Sequence, residues 1–387
     1  MVPGGDARTY ELAGRFTSGD ECLPARVTIG DFLKVAQAPD FDPAKTAFFM
    51  PTASGPCRFG QYTPFTRQVM AELGWDDVLV VSPTSADGYS SLGAYAGAIM
   101  RLGWWALVGS DALRKMLHVY RPHELERGAA DRALGRALDI FCGELSDPSV
   151  PLGSKKLDRL VGALERGRDV FRAVPADFTR DTMLIGVVGE IYCRLDTFSN
   201  EDLIRHLESF GAQAWLSDVS EWIWYTNSEE EKNLRMHGRV WTLDMAKVKL
   251  KEHFQHEHEK RLLAPFEEEF AGLEEPHGIG DVLARSSRYL PCEGALGEMV
   301  LSVGKAIYAY EKGADGIIDI SPFTCMNGIV CESIYPRVSH DCDGIPIRTF
   351  YVDGQQTDLE NDLGIFMELV HNYNRRKTRR RTGRHAA

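Results

Sequence analysis

From Lys45 onward, short apolar runs alternate with amphipathic stretches, the pattern of strand and helix taken in turn. Residues 46–50 (TAFFM) predict a short strand, 63–73 a helix closed by Gly74, and 78–81 (VLVV) a second buried strand. This βαβ rhythm gives way, over about 89–172, to Gly, Ala, Leu and Arg at helical spacing. A second alternating region opens with the apolar run 183–189 (MLIGVVG). Ser199-Asn200-Glu201-Asp202 then offers a helix N-cap with acids in the first turn, and Phe210-Gly211 offers the matching stop. Residues 214–216 predict the next strand, and the charged, helical stretch 228–269 an insertion that packs one face only. The rhythm resumes as helix 294–312, strand 316–320, helix 326–338, strand 347–352 and helix 357–373.

The fold class expected is α/β: two Rossmann- or flavodoxin-like lobes with parallel sheets and a helical insertion. Residues 1–175 form the first lobe with its helical extension, 176–374 the second with the insertion, and 375–387 a basic disordered tail. Open parallel sheets bind ligands beyond the carboxyl ends of their strands, which directs attention to the loops after Met50, Val81, Val188, Ile320 and Val352. With 387 residues, 44% hydrophobic and 26% charged, the chain sits in the globular range and has room for two or three cores. No run reaches the roughly 18 apolar residues of a membrane span, and the N-terminus lacks the basic start and apolar stretch of a signal peptide. A soluble, cytoplasmic protein is expected. The net charge is −12, yet the tail gathers Arg375, Arg376, Lys377, Arg379, Arg380, Arg381 and Arg384, which leaves about −19 on the body. A body that acidic is a poor surface for nucleic acid.

Eight cysteines are too few for a secreted disulfide scaffold, and no two of them form CxxC, which removes thioredoxin-like motifs, zinc ribbons and the compact ferredoxin spacing. Three are placed unlike core cysteines. Cys57 follows Gly55-Pro56 just ahead of a helix, Cys325 follows a strand and Pro322 and again precedes a helix, and Cys22 lies between Gly19 and Pro24 before a third. Helix N-termini favour anions, a thiolate or an iron–sulfur cluster among them.

The wording around these cysteines is distinctive. The strings SGDECLPARVTIGDFLK, FMPTASGPCRFGQY, GEIYCRLDTFSNEDLIRHLESFGA, GKAIYAYEKGADGIIDISPFTCMNGIV and YVDGQQTD, spread over residues 17–373, resemble the 2-hydroxyacyl-CoA dehydratase component D family. The resemblance is nearest to the dehydratase-like portion of the acyl-CoA dehydratase activase-related proteins. It implies Rossmann-like lobes holding a [4Fe–4S] cluster with three cysteines, two early and one in a late strand-to-helix loop. On that pattern Cys22, Cys57 and Cys325 are the matching ligands, and one iron is left without a cysteine. The resemblance also implies a cytoplasmic, anaerobic enzyme that is lyase- or reductase-like. Its partner is an ATP-dependent activator carrying its own iron–sulfur cluster. One electron from the activator reaches an acyl-CoA-type substrate, whose ketyl radical then loses its hydroxyl. A homodimer is expected, since the family works in pairs and two-fold assemblies are the commonest oligomers.

A related branch carries a double-cubane [8Fe–9S] cluster and needs about six thiolates, for which Cys142 and Cys193 are the additional candidates here. Glu190, Arg194 and Asn200 match the cleft segment of the family and are implied to orient substrate or cluster, although helix capping explains Asn200 equally well. Cys331 reads as core, and Cys292 and Cys342 as incidental. His253, His256 and His258 do not share one helix face and read as a solvated stretch. Asp319 and Asp353 end strands and read as turn caps. The established dehydratases pair two different subunits whereas this is one chain. Two alternatives therefore stand beside the dehydratase reading: a double-cubane reductase of a small molecule, and a non-catalytic accessory protein that carries a cluster.

Overall fold

The computed structural model describes residues 4–53, 55–84, 89–294, 297–354 and 358–385, with side chains described through Thr378. Ser54, in the Cys57 loop, and Thr357, the expected start of the last helix, lie outside the described residues.

The first elements are α1 (Ala7–Ala13), α2 (Leu23–Ala36), β1 (Ala47–Phe49), α3 (Tyr62–Glu72) and β2 (Leu79–Val81). The strands pair in parallel, Phe48 against Val80, and their inward side chains join Ile29, Leu33, Val69 and Met70 in one core. Two short strands make a smaller sheet than a full Rossmann lobe. Three long helices follow: α4 (Ala96–Tyr120), α5 (Ala129–Ser146) and α6 (Ser154–Arg172).

The second lobe supplies the main sheet. Its elements are β3 (Met183–Gly189), α7 (Ile191–Leu195), α8 (Leu203–Ser209), β4 (Ala212–Leu216), α9 (Ser220–Met236), α10 (Leu243–Leu263), α11 (Ile279–Ser286), α12 (Met299–Lys312), β5 (Gly316–Pro322), α13 (Met326–Asp341), β6 (Ile347–Val352) and α14 (Leu359–His385). The strands run in the order β4-β3-β5-β6, all parallel. Parallel connections need helical crossovers, which cover both faces, so β5 is buried throughout, its Asp319 and Ser321 included. Alternation sorts the side chains. Ile185, Val187, Ile318 and Ile320 face the core shared with α8 and α14, while Val188 and Ile317 face α12 and α13.

The insertion does not stand apart from the helical extension. Trp224 of α9, Leu262 of α10, Phe266 and Phe270 share one core with Trp105, Leu113, Phe141, Leu160 and Phe171, so stretches distant in sequence form a single helical body. Two histidines of α10 touch it: His258 Nδ1 accepts from Trp105 Nε1 at 3.1 Å, and the exposed His256 stacks on Trp224 at 4.0 Å. His253 stays on the solvated side that the sequence suggests, whereas His258 belongs to an interhelical seam. The expected disordered tail is likewise helical, since α14 continues to His385 and Lys377 Nζ binds Asp315 Oδ1 at 2.7 Å.

Candidate metal centre

In the main sheet the chain leaves β3 toward β4 on one side and returns to β5 on the other, so the loops after β3 and β5 diverge and open a crevice at their carboxyl ends. Gly189-Glu190 and Phe323-Thr324-Cys325 stand at that point. Gly189 has φ +115°, and a Cβ there would lie 2.2 Å from the Ile320 carbonyl. Only glycine lets β3 and β5 approach this closely while the chain turns off toward Glu190.

The three candidate cysteines share one local geometry. Cys22, Cys57 and Cys325 each occupy the N-cap position of the helical segment that follows, with φ/ψ of −67/148°, −68/134° and −67/125°. None of the three side chains closes a capping hydrogen bond on its own helix, although the Asn327 and Gly328 amides face the Cys325 sulfur. Each loop also carries a left-handed residue just upstream: Gly19, Gly55 and Thr324. Thr324, at φ +65°, is β-branched and costly in that region, the kind of strain that persists where surrounding contacts over-determine it.

Those contacts come from Arg58. Its Nη1 donates to the Asp20 carbonyl at 2.8 Å, and its Nη2 donates to the Thr324 carbonyl at 2.8 Å and to Thr324 Oγ1 at 3.2 Å. The residue beside Cys57 thus ties together the loops that carry Cys22 and Cys325. Tyr62 adds a second link, its hydroxyl hydrogen-bonded to Cys22 Sγ at 2.7 Å, while its ring meets Phe59 edge-on. Exposure differs among the three: Cys22 is buried, Cys325 half-buried and Cys57 exposed.

Carboxyl groups surround the sulfurs. Glu190 caps α7 through the Cys193 amide at 2.8 Å, and Glu298 accepts from the Ile191 amide at 2.8 Å. Burial raises both carboxyls above their ordinary 4.5, and for Glu298 the neighbouring Glu190 adds to the rise. Burial also pushes the Cys325 thiol up to about 11, against the pull of the Gly328 and Asn327 amides, and the charges of Glu190 and Glu298 raise it further. Cys57 is raised as well: although its surface is exposed, the protein mass around its sulfur is the largest cause, followed by Glu298, Cys22 and Glu190, which places these groups within electrostatic reach of one another. Thiols so placed become thiolates when a bound metal supplies the missing positive charge.

Arg194 is enclosed, with Nη1 on the Ser217 carbonyl at 3.1 Å and no acceptor for Nε. Its charge draws down Glu190, Glu298 and Asp319, so it serves as a counter-ion beneath the crevice and not as an open-cleft contact. Asn200 is buried, accepts from the Leu203 amide at the start of α8 and donates to the Cys193 carbonyl at 2.8 Å, so it ties α7 to α8. Asp319 does not cap a turn. It is buried beneath the crevice, where Ser321 Oγ at 2.7 Å and the Tyr335 hydroxyl donate to it.

The remaining cysteines divide. Cys193 lies close to the trio but is fully enclosed in the core with Leu23 and Leu203. Cys142 is exposed on α5, a helix that packs on α4 and α6 and has no part in the cysteine loops. Cys331 is core, its Sγ on the Met299 carbonyl at 3.6 Å. Among the described residues no three His, Cys, Asp or Glu side chains converge as a single metal ion would require.

Arg58, Tyr62 and Glu298 are the site residues that sequence reasoning missed. The first two stand in the GPCRFGQY string beside Cys57, but nothing local marks their partners. The chain matches no protein-family model and no curated protein.

Proposed function

We propose that the chain is an iron–sulfur protein of dehydratase or reductase type, with Cys22, Cys57 and Cys325 as ligands of a [4Fe–4S] cluster. The observation that carries this reading is the shared geometry: three cysteines at N-cap positions with closely similar backbone angles, on loops joined by one guanidinium. Bound there, the cluster supplies a low-potential one-electron centre with one iron free of cysteine. The chain's own groups tune and serve that site. The Tyr62 hydroxyl holds Cys22 Sγ, and the Gly328 and Asn327 amides face Cys325, hydrogen bonds of the kind that set cluster potentials. Burial shifts Glu190 and Glu298 toward their protonated forms, and a carboxyl oxygen of either would be the group to pass a proton to a leaving hydroxyl. Arg194 balances their charge when they ionise.

An acyl-CoA-type substrate, an ATP-dependent activator as electron donor and a homodimeric assembly complete the reading. The enclosure of Cys193 and the remoteness of Cys142 favour a single cubane over a double one. The deciding experiment is iron and acid-labile sulfide per chain after anaerobic purification or reconstitution, with an EPR spectrum of the reduced protein. About four irons are expected. Cys57→Ser and Cys325→Ser should each abolish the cluster signal, and Cys142→Ser and Cys331→Ser should leave it intact. About eight irons would move the reading to the double-cubane reductase, and absence of iron in the reconstituted wild-type chain would falsify both.

A further inference from the structure

Three loops from opposite ends of the chain must meet for the cysteine site to exist, and the lobes that carry them have separate cores. Helix α2 bridges those cores, placing Leu23 and Val27 in one and Ile29 and Leu33 in the other, which fixes Cys22 at its N-terminus. The Cys57 loop follows a three-residue edge strand and rests on the first lobe's core through Phe59, with Tyr62 just beyond it on Cys22 Sγ; among the described residues its side-chain hydrogen bonds to the Cys325 loop come from Arg58, which also reaches the Asp20 carbonyl.

We infer that Arg58 is a positioning residue: its guanidinium fork spans the Asp20 and Thr324 carbonyls and holds the three cysteine loops in register before any cluster is present. The argument rests on donor geometry. A guanidinium offers parallel N–H groups in a rigid plane and binds two acceptors at once, whereas a lysine ammonium is a compact point charge on a flexible stem. Both principal acceptors are backbone carbonyls, so the clamp acts on the course of the chain. The left-handed φ of Thr324, one residue before Cys325, has its counterpart here, since that residue offers both its carbonyl and its hydroxyl to the same Nη2. The effect on cluster retention rests on the function proposed above, while the ordering of the loops does not.

The test compares wild type, Arg58→Lys, Arg58→Ala and the surface control Arg8→Ala as full-length chains. In the metal-free proteins, amide hydrogen exchange is followed at Ala25 and Ile329, whose N–H groups close the first turns after Cys22 and Cys325, and at Cys325, whose N–H closes the turn through Thr324 onto the Pro322 carbonyl. Faster exchange is expected at all three in both Arg58 variants and not in the control. After anaerobic reconstitution with iron and sulfide, both variants should retain cluster roughly 10- to 100-fold less well, with a shifted EPR signal, the size of effect that supporting residues have at metal sites. Arg58→Lys carries the decision because it keeps the charge and is the change least able to disturb folding, which thermal unfolding verifies. Wild-type exchange in the metal-free Arg58→Lys chain overturns the inference, as does full retention of cluster by that variant. If the wild-type chain takes up no iron, the proposed function fails, and the exchange measurements alone still decide whether Arg58 orders the loops.

Discussion

At the scale of single residues, backbone geometry at the crevice is specified by a few positions that admit no substitute. Gly189 combines φ +115° with a hydrogen pointing at the Ile320 backbone, where a methyl would approach the nitrogen to 2.5 Å and the carbonyl to 2.2 Å. Gly189→Ala is expected to destabilise the chain by about 2–4 kcal/mol, adding backbone strain to a clash that no side-chain rotation relieves. Urea unfolding would show this as a lower midpoint at unchanged slope, and an unchanged midpoint would mean that β3 and β5 lie further apart than described. The need for a special residue there is legible in the run MLIGVVG, because a glycine ending an apolar strand marks a turn. Its role in seating Glu190 is not, because that depends on the neighbouring strand.

Among elements, the helical body is assembled by close approach. Gly109 of α4 faces Phe141 of α5 so tightly that a Cβ would fall 2.2 Å from the ring. Phe141 is almost wholly enclosed, and Phe141→Ala should cost about 3–5 kcal/mol through lost transfer energy and the cavity left behind. Gly109→Ala should cost about 1–3 kcal/mol by overpacking. Because the two residues touch, Gly109→Ala combined with Phe141→Leu should be less destabilising than the two single changes added together. Strict additivity in a double-mutant cycle would show that α4 and α5 do not cross at this point. Helical periodicity marks α4, α5 and α6 in the sequence, and the apolar runs at 183–189 and 347–352 coincide with β3 and β6. The partner of each helix was not legible. The charged stretch 228–269 reads as a one-faced insertion, and its Leu262 and Phe266, with Trp224 just ahead of it, complete a core begun more than a hundred residues earlier.

For the whole molecule, the helical body and the main sheet are joined by an ion network. Lys115 of α4 donates to Glu275 Oε1 at 2.7 Å and Lys305 of α12 binds the other oxygen, while Trp215 of β4 donates to Oε1 at 3.0 Å. Burial raises the Glu275 carboxyl, but Lys115 and Lys305 outweigh it and hold the group well below its ordinary 4.5. A carboxyl depressed in the folded state contributes stability that is complete above its unfolded value and is lost as pH falls through the folded one. Glu275→Gln should therefore flatten the loss of stability below about pH 4.5. At neutral pH it should cost about 3–5 kcal/mol, since it leaves two buried lysines without their shared partner. Glu298 and Asp319 act in the opposite sense: burial raises them, so their contribution declines as pH climbs above their unfolded values toward the folded ones. Chemical denaturation across pH 3–8 separates the two limbs, and an acid limb equally steep in Glu275→Gln would remove Glu275 as its source.

What the sequence determined by itself is what lies within a few residues along the chain. Strand against helix, the glycines that close helices, and three cysteines flanked by Gly and Pro just before helices all follow from local backbone preference and periodicity. Only the tertiary structure decided that Arg58 meets Asp20 and Thr324, that Glu298 feels the charge of Glu190, and that His258 and His256 of α10 meet tryptophans of α4 and α9. The physical reason is range. Dihedral preference and hydrophobic period act between neighbours in sequence, whereas these contacts span up to 266 positions and form only once separate cores have buried their apolar faces and carried the loops together.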